Sequence, residues 1–296
     1  MATEIVRGQR LRGLALMLGG ASSNQVGAAI GAHAFSAIGP AGVVAIRQLV
    51  AAAVLLPTSR PAVRAMTWAQ WRLVLMLAGV FSVMNLSLYA AIDRLGLGLA
   101  ITLEFLGPLG VALVASRTRG DLFAAIAAGA GVYVLVLPGG SSDWWGITLA
   151  LLAAGCWASY IVLNRRAGAA LPGLQAPALA AGIAALIYLP VLVWLGLNGK
   201  LTGLPIIYAL IAGVLSSTVP YAVDLLALRF VPPRLFGIVM SANPVLAALA
   251  GWAILSQALN FHEWVGIVIV VAANVYATTR GGVSRRRREL APVLDS

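Results

Sequence analysis

Charge is what this chain has least of. Only 10% of its 296 residues are Asp, Glu, Lys or Arg, and 61% are hydrophobic; an ordinary soluble domain carries about 25% charged residues. A soluble fold this apolar would expose patches wide enough to aggregate, so a water-soluble globular domain is excluded. Cysteine is scarcer still. Cys156 stands alone, which excludes an intrachain disulfide framework and a thiolate metal site. Enzyme signatures are also missing: there is no His-Glu-x-x-His, no Walker loop, no Gly-x-Ser-x-Gly elbow and no aspartate-rich pair for a diphosphate. The chain therefore reads as no enzyme, with no catalytic residues, no metal and no cofactor, and ATP does not power it directly. No stretch between its apolar runs is long enough to fold as a soluble module.

What fills the sequence instead is ten apolar stretches, at 13–32, 40–57, 71–92, 97–116, 121–138, 145–164, 175–197, 204–228, 234–256 and 263–279. Each is near the ~20 residues that carry a helix across a ~30 Å hydrocarbon core. The basic residues between them alternate. Arg7, Arg10 and Arg12 precede the first stretch; Arg60, Arg64 and Arg72 follow the second. Arg117 and Arg119 follow the fourth, Arg165 and Arg166 the sixth, and Arg229 and Arg234 the eighth. Arg280 and Arg285–Arg288 follow the tenth. The opposite gaps hold only Arg94 and Lys200, and Arg47 lies inside the second stretch. Positive residues stay cytoplasmic, so the pattern predicts an all-α, multi-pass integral membrane protein of ten transmembrane helices with both termini in the cytoplasm. Arg10, Arg12 and the run Leu14–Leu18 before Ala32-His33-Ala34 resemble a secretory leader. Removing it would leave nine spans and put the arginines out of phase, so 13–32 is read as a span. The net charge of +11 is spread over six loops and tails. The partners it predicts are membrane lipids and not nucleic acid, with Arg285–Arg288 as a topology anchor near anionic headgroups.

The spans divide into two sets of five. A tail at 1–12 leads into a first repeat at 13–138; a second repeat at 145–279 runs into a basic tail at 280–296. A shift of about 133–136 residues aligns them. Gly13-Leu-Ala-Leu-Met-Leu falls on Gly146-Ile-Thr-Leu-Ala-Leu, and Leu106-Gly-Pro108-Leu on Ala242-Asn-Pro244-Val. With five helices per set, the second starts from the opposite face, giving the two inverted five-helix repeats that many secondary transporters use for alternating access. Pro108 and Pro244, at matching depth in spans four and nine, are the candidate gating positions.

Ionisable residues inside the spans are few. A charge at the bilayer centre costs roughly 2.5–3.5 kcal/mol on insertion scales. Arg47, Glu104 and Asp224 therefore need a partner or a pathway. Arg47 and Glu104 could form a structural ion pair between spans two and four, though such pairs stabilise poorly against apolar packing. The functional reading places them in a water-filled cavity, Arg47 holding a carboxylate bidentately and Glu104 meeting an ammonium group or carrying a proton. One cation and one anion at similar depth suit a zwitterion. Asp224 is the second proton-coupling candidate, or a wet residue near a helix end. Polar residues at similar depth include Gln25, Gln48 and Tyr160. Asn24, Asn85, Tyr89, Trp157, Tyr221 and Asn243 join Arg47 and Glu104 as substrate-binding candidates, Asn24 and Trp157 because they fall at matching places in the two repeats.

Span four reads Ala100-Ile-Thr-Leu-Glu104-Phe-Leu-Gly107-Pro108-Leu. With the ten-span layout, this resembles the drug/metabolite transporter superfamily, and within it the EamA-type branch and the threonine/homoserine and aromatic amino-acid exporters. The likeness covers about residues 10–280 and includes Pro220-Tyr221 and Asn243-Pro244. Where many relatives carry an acid before that second proline, this chain has Asn243. The resemblance implies a secondary transporter in the bacterial inner membrane, monomer or homodimer, exporting amino acids or related small metabolites from a central cavity. The alternatives are a broad multidrug or metabolite efflux pump of the same fold and an intramembrane enzyme or lipid-handling protein.

The alternation of arginines predicts that Ser141 and Ser284 lie on opposite faces of the membrane. Cysteine placed at each in turn should react with a membrane-impermeant reagent from opposite sides, and labelling of both from one side would break the ten-span arrangement.

Overall fold

The computed structural model describes residues 2–116, 119–136, 143–220 and 239–294, and its regular structure among them is entirely helical. In chain order the helices are α1 (Ala2–Ala32), α2 (Phe35–Ser59), α3 (Trp68–Leu95), α4 (Leu97–Glu104), α5 (Leu106–Ser116) and α6 (Arg119–Leu135). There follow α7 (Trp144–Ala170), α8 (Gln175–Ile187), α9 (Leu189–Leu197), α10 (Leu204–Gly213), α11 (Asn243–Leu255) and α12 (Phe261–Leu294). A single π-helical turn, Val214–Thr218, continues α10. Six helical segments are long and apolar enough to cross a membrane: Phe35–Ser59, Trp68–Leu95, Leu97–Val114, Trp144–Ala170, Gln175–Leu197 and Phe261–Thr278. Leu122–Leu135, Leu204–Thr218 and Asn243–Leu255 are shorter apolar helices.

Two of the predicted spans are broken helices, and the breaks have a chemical cause. Proline has no N–H, so it cannot bond the carbonyl four residues back. Pro108 leaves the Glu104 carbonyl without its helical donor, and the helix turns at Phe105 between α4 and α5. Pro190 does the same to Leu186, and the chain turns at Tyr188 between α8 and α9. Pro244 lies in the first turn of α11, where a helix has no use for that N–H. In α2 the regular helix effectively starts at Pro40, after Gly39 takes a positive φ of 70° that suits glycine.

The ends are fixed by polar caps. Thr67 and Gln70 form a reciprocal capping box at the start of α3. Gln70 Nε2 also reaches the Ala170 carbonyl, 2.9 Å away, at the far end of α7. Asp143 accepts the Gly146 N–H at the start of α7 and pairs with Arg94 Nε at 2.8 Å. That N–H and the guanidinium hold its carboxyl below the ordinary carboxylate range. The pair ties the α3–α4 turn to the start of α7 on one face of the bundle.

Packing sorts the helices into inner and outer. The most apolar windows of α2 and α4–α5 are each 56% buried, against 28% for α7 and 33% for α12. Large apolar side chains on the outer helices, such as Phe123, Ile126, Leu151 and Val268, point outward. In water this would be an aggregation surface; in hydrocarbon it is the natural exterior. Aromatic residues start several helices, Trp68 on α3, Trp144 on α7 and Phe261 on α12, all well exposed, as in the belts at lipid–water interfaces. Inside, α3 packs on α7, α6 on α12, α2 on α8 and α4 on α11. Also in contact are α1 with α11, α1 with α10 and its π turn, α4 and α5 with α7, α3 with α8, and α2 with α10.

Small residues set the closest contacts. A Cβ on Gly107 would lie 2.2 Å from the Ala154 carbonyl oxygen of α7. One on Gly27 would lie 2.4 Å from Ser216 Oγ in the π turn. With no hydrophobic force between helices in lipid, such close backbone approach supplies the packing energy. Gly107→Ala should therefore lower the unfolding midpoint in detergent, by about 1–3 kcal/mol of overpacking. Gly129→Ala, with nothing within 4 Å of its added methyl, should not lower it. Thermal unfolding followed by tryptophan fluorescence compares them, and equal midpoints would refute the tight α5–α7 contact.

Candidate functional site

A cavity of about 210 Å³ lies between α1, α2, α3, α4, α7 and α11, beside two helix breaks, the one at Phe105 and the one just before Pro244. Asn24, Arg47, Tyr89, Glu104, Trp157 and Asn243 line it; the sequence singled out all six. Asn85 lies outside that wall. It is buried, and its Nδ2 donates to the Phe81 carbonyl of its own helix at 2.7 Å. Tyr221 and Asp224 lie outside the described residues.

Arg47 comes from the middle of α2, and its partners are not acidic. Its Nε donates to Ser217 Oγ at 3.1 Å and its Nη2 to the Ser216 carbonyl at 3.0 Å. Its guanidinium carbon stands 5.1 Å from the centre of the Tyr89 ring, within cation–π range. The π turn makes this possible, because widening the helix by one residue turns a carbonyl away from its usual i+4 donor. The same turn holds α1: Ser216 Oγ donates to the Asn24 carbonyl at 2.8 Å, and Ser23 Oγ donates to the Leu215 carbonyl at 2.9 Å. Close approach at Gly27 lets the two backbones meet there.

Glu104 ends α4 at the break and is 5% exposed. Arg47 and Glu104 face one cavity without an ion pair between them, and no described group hydrogen-bonds the Glu104 carboxylate. A guanidinium has five N–H donors, of which Ser216 and Ser217 take two. The cavity thus presents a cation with donors to spare and a carboxyl group with no partner among the described residues. Tyr89 is 1% exposed, and its hydroxyl has no partner among them either. Phe105 and Trp157 close another side of the cavity, edge to face with ring centres 4.7 Å apart.

At the second break the freed carbonyl is satisfied. Pro244 cannot serve the Met240 carbonyl, and Asn243 Nδ2 donates to it at 2.8 Å instead. Asn243 Oδ1 in turn accepts from Gln25 Nε2 at 2.9 Å. Gln25 and Met240 are lining residues that the sequence did not single out as candidates. Gln25 follows Asn24 directly and so points from a different side of α1. The sequence placed it among the polar residues at similar depth, but nothing within a single span marked its amide as the partner of Asn243.

Residues 144–279 match the EamA-like transporter family. The chain is 34% identical over 270 residues to the "Threonine/homoserine exporter RhtA" of Escherichia coli strain K12, covering 90% of each protein. It is 35% identical over 280 residues to the protein of the same name from Salmonella typhimurium strain LT2, again over 90% of each. A solved crystal structure superposes with a TM-score of 0.62 over 92% of this chain and 98% of that one, at 18% identity, a likeness of fold alone. Identity at this level across nine-tenths of both chains, together with the family match, leads to one assignment: the chain belongs to the EamA-type branch of the drug/metabolite transporter superfamily, and it is a transporter and not an enzyme.

Proposed function

We propose that this protein is a secondary exporter of small amino acids in the bacterial inner membrane, working by alternating access from the cavity around Arg47 and Glu104. The observation that carries the reading is the pair of opposite charges on one cavity, neither spent on the other. Arg47 holds the substrate carboxylate with its remaining donors, and the Tyr89 hydroxyl adds one more. Glu104 meets the ammonium group or carries the coupling proton, and the carbonyl freed by Pro108 lies on the same residue. A volume of about 210 Å³ falls below the roughly 300–1,000 Å³ of sites for drug-sized ligands, which favours a small metabolite over a multidrug substrate. The relatives named as threonine/homoserine exporters point the same way. Tyr221 and Asp224 stay as candidates from the sequence, for binding and proton coupling respectively.

The architecture belonging to this reading is ten spans in two inverted five-helix repeats, 13–138 and 145–279, with both termini cytoplasmic. Three observations support it. Exchanging the repeats maps helix pairs onto one another: α3–α7 onto α10–α1, α3–α8 onto α10–α2, and α4–α7 onto α11–α1, while α2–α8, α6–α12 and α4–α11 map onto themselves. The prolines at 108 and 244 both sit at helix breaks. Arg94 and Asp143, assigned to the outer face, form one ion pair.

Two experiments follow, both with purified protein in liposomes. In counterflow of labelled amino acids, Glu104→Gln should abolish flux or remove its pH dependence, and Arg47→Lys, which keeps charge and loses the planar fork, should raise KM about tenfold. Near-normal flux from the Arg47→Met/Glu104→Leu double variant would end the assignment, as would protection of cells against lipophilic cations with no movement of amino acids. Pro108→Ala and Pro244→Ala test the gating role: each should slow turnover more than it weakens substrate binding, and unchanged transport in both would leave the prolines as passive kinks.

A further inference from the structure

We infer that Gln25 Oε1 accepts a hydrogen bond from a side-chain hydroxyl of the transported amino acid, so that Gln25 selects hydroxylated substrates; this rests on the amino-acid export reading above.

The polarity of Gln25 is fixed by a chain of bonds that starts at a group with only one role. The Met240 carbonyl can only accept, so Asn243 must turn its NH₂ toward it. Asn243 therefore offers its oxygen on the other side, and the group that reaches that oxygen must be a donor, Gln25 Nε2. Turning either amide over would oppose oxygen to oxygen or donor to donor. Gln25 Oε1 is thereby committed to the remaining direction. It is buried, on a side chain that is 2% exposed and lines the cavity, and no group among the described residues donates to it. A buried acceptor left without a donor costs about 1–3 kcal/mol, more than a transporter gains from an amide that only joins α1 to α11. The orphan oxygen is intelligible as a place kept for a ligand.

What must fill it is a donor. The rest of the cavity has claims on the other groups of an amino acid. Its carboxylate carries no proton to give and is drawn to Arg47. Its ammonium is drawn to Glu104, the one acidic group among the described cavity residues. The donor left over is on the side chain, and in a cavity of about 210 Å³ it is small. A hydroxyl meets both demands. Gln25 would then raise affinity for the hydroxylated substrate and penalise its apolar isostere, which leaves the oxygen unpaired.

The test uses the full chain in liposomes, with labelled threonine as the counterflow substrate. Valine replaces the hydroxyl by a methyl group of similar size, and O-methylthreonine keeps the oxygen but cannot donate. On the wild-type protein both should compete at least about tenfold more weakly than threonine. Gln25→Met, which removes the acceptor, should bring the threonine-to-valine ratio toward one. O-methylthreonine or valine matching threonine on the wild type would overturn the proposal, as would a full threonine preference in Gln25→Met. Should Gln25→Met fail to fold, the wild-type panel decides. A wild-type protein that moves no amino acid refutes the export reading itself; one that moves amino acids without regard to the hydroxyl refutes only the role of Gln25.

Discussion

Everything around the cavity depends on how the protein satisfies one guanidinium in hydrocarbon. A charge at that depth has to be solvated by protein, and the simplest solution would be the carboxylate two helices away. The protein takes another. Arg47 is held by a serine hydroxyl and a backbone carbonyl from the π turn after α10, with the Tyr89 ring beside it. A neutral cradle leaves the positive charge uncancelled and leaves Glu104 without an ion-pair partner among the described residues. Had the two closed on each other, the cavity would hold a spent salt bridge, a poor stabiliser and a poor ligand site. The same π turn takes hydrogen bonds to α1 at Asn24 and from Ser23, so the cradle for the charge also joins α1, α2 and α10.

The prolines at 108 and 244 do a related job with backbone groups. In lipid an unpaired carbonyl has no water to turn to. At 244 the freed Met240 carbonyl takes the Asn243 side chain. The equivalent position before Pro108 is Gly107, which has no side chain to give. Glycine is required there for a different reason: the backbone of α7 passes so close that a methyl group would strike the Ala154 carbonyl. The breaks at 108 and 244 are therefore resolved differently, the second with an amide network and the first with a tight helix contact beside Glu104.

This explains what could be read from the chain in advance. The extent of the apolar runs is a one-dimensional property, and the described helices fall on those runs. Arg47 and Glu104 were visible because charge in an apolar run is conspicuous. Their partners were not. Ser216 and Ser217 look like unremarkable small residues until the π turn exposes a carbonyl, and no helical period announces a π turn. Span four looks continuous by hydropathy, yet Pro108 breaks it, a cause legible in the sequence though not the exact place of the turn. Asn85 has the right residue type at a plausible depth, but its amide bonds back to its own helix, which depends on rotamer and neighbours and not on type. Gln25 shows the converse: it sits beside Asn24 in sequence, and its importance appears only once Asn243 fixes which way its amide must face.

Burial puts these polar devices where they are sheltered. Of the six long apolar segments, the two that bring Arg47 and Glu104 are the most enclosed, and the large exposed side chains of the outer helices are apolar. Around the cavity, the contacts differ in what they would allow. α5 meets α7 backbone to backbone at Gly107, a contact with no slack, so those two helices must move together or not at all. α4 meets α11 through Gly98 and Ala248 and through Gln257, whose side-chain oxygen accepts the Leu97 N–H at 2.9 Å. Both seams are thus close-packed, and the α4–α11 seam is tied at its Leu97 end by a single side-chain hydrogen bond, the contact that the proposed cycle has to break first if α4 and α11 separate.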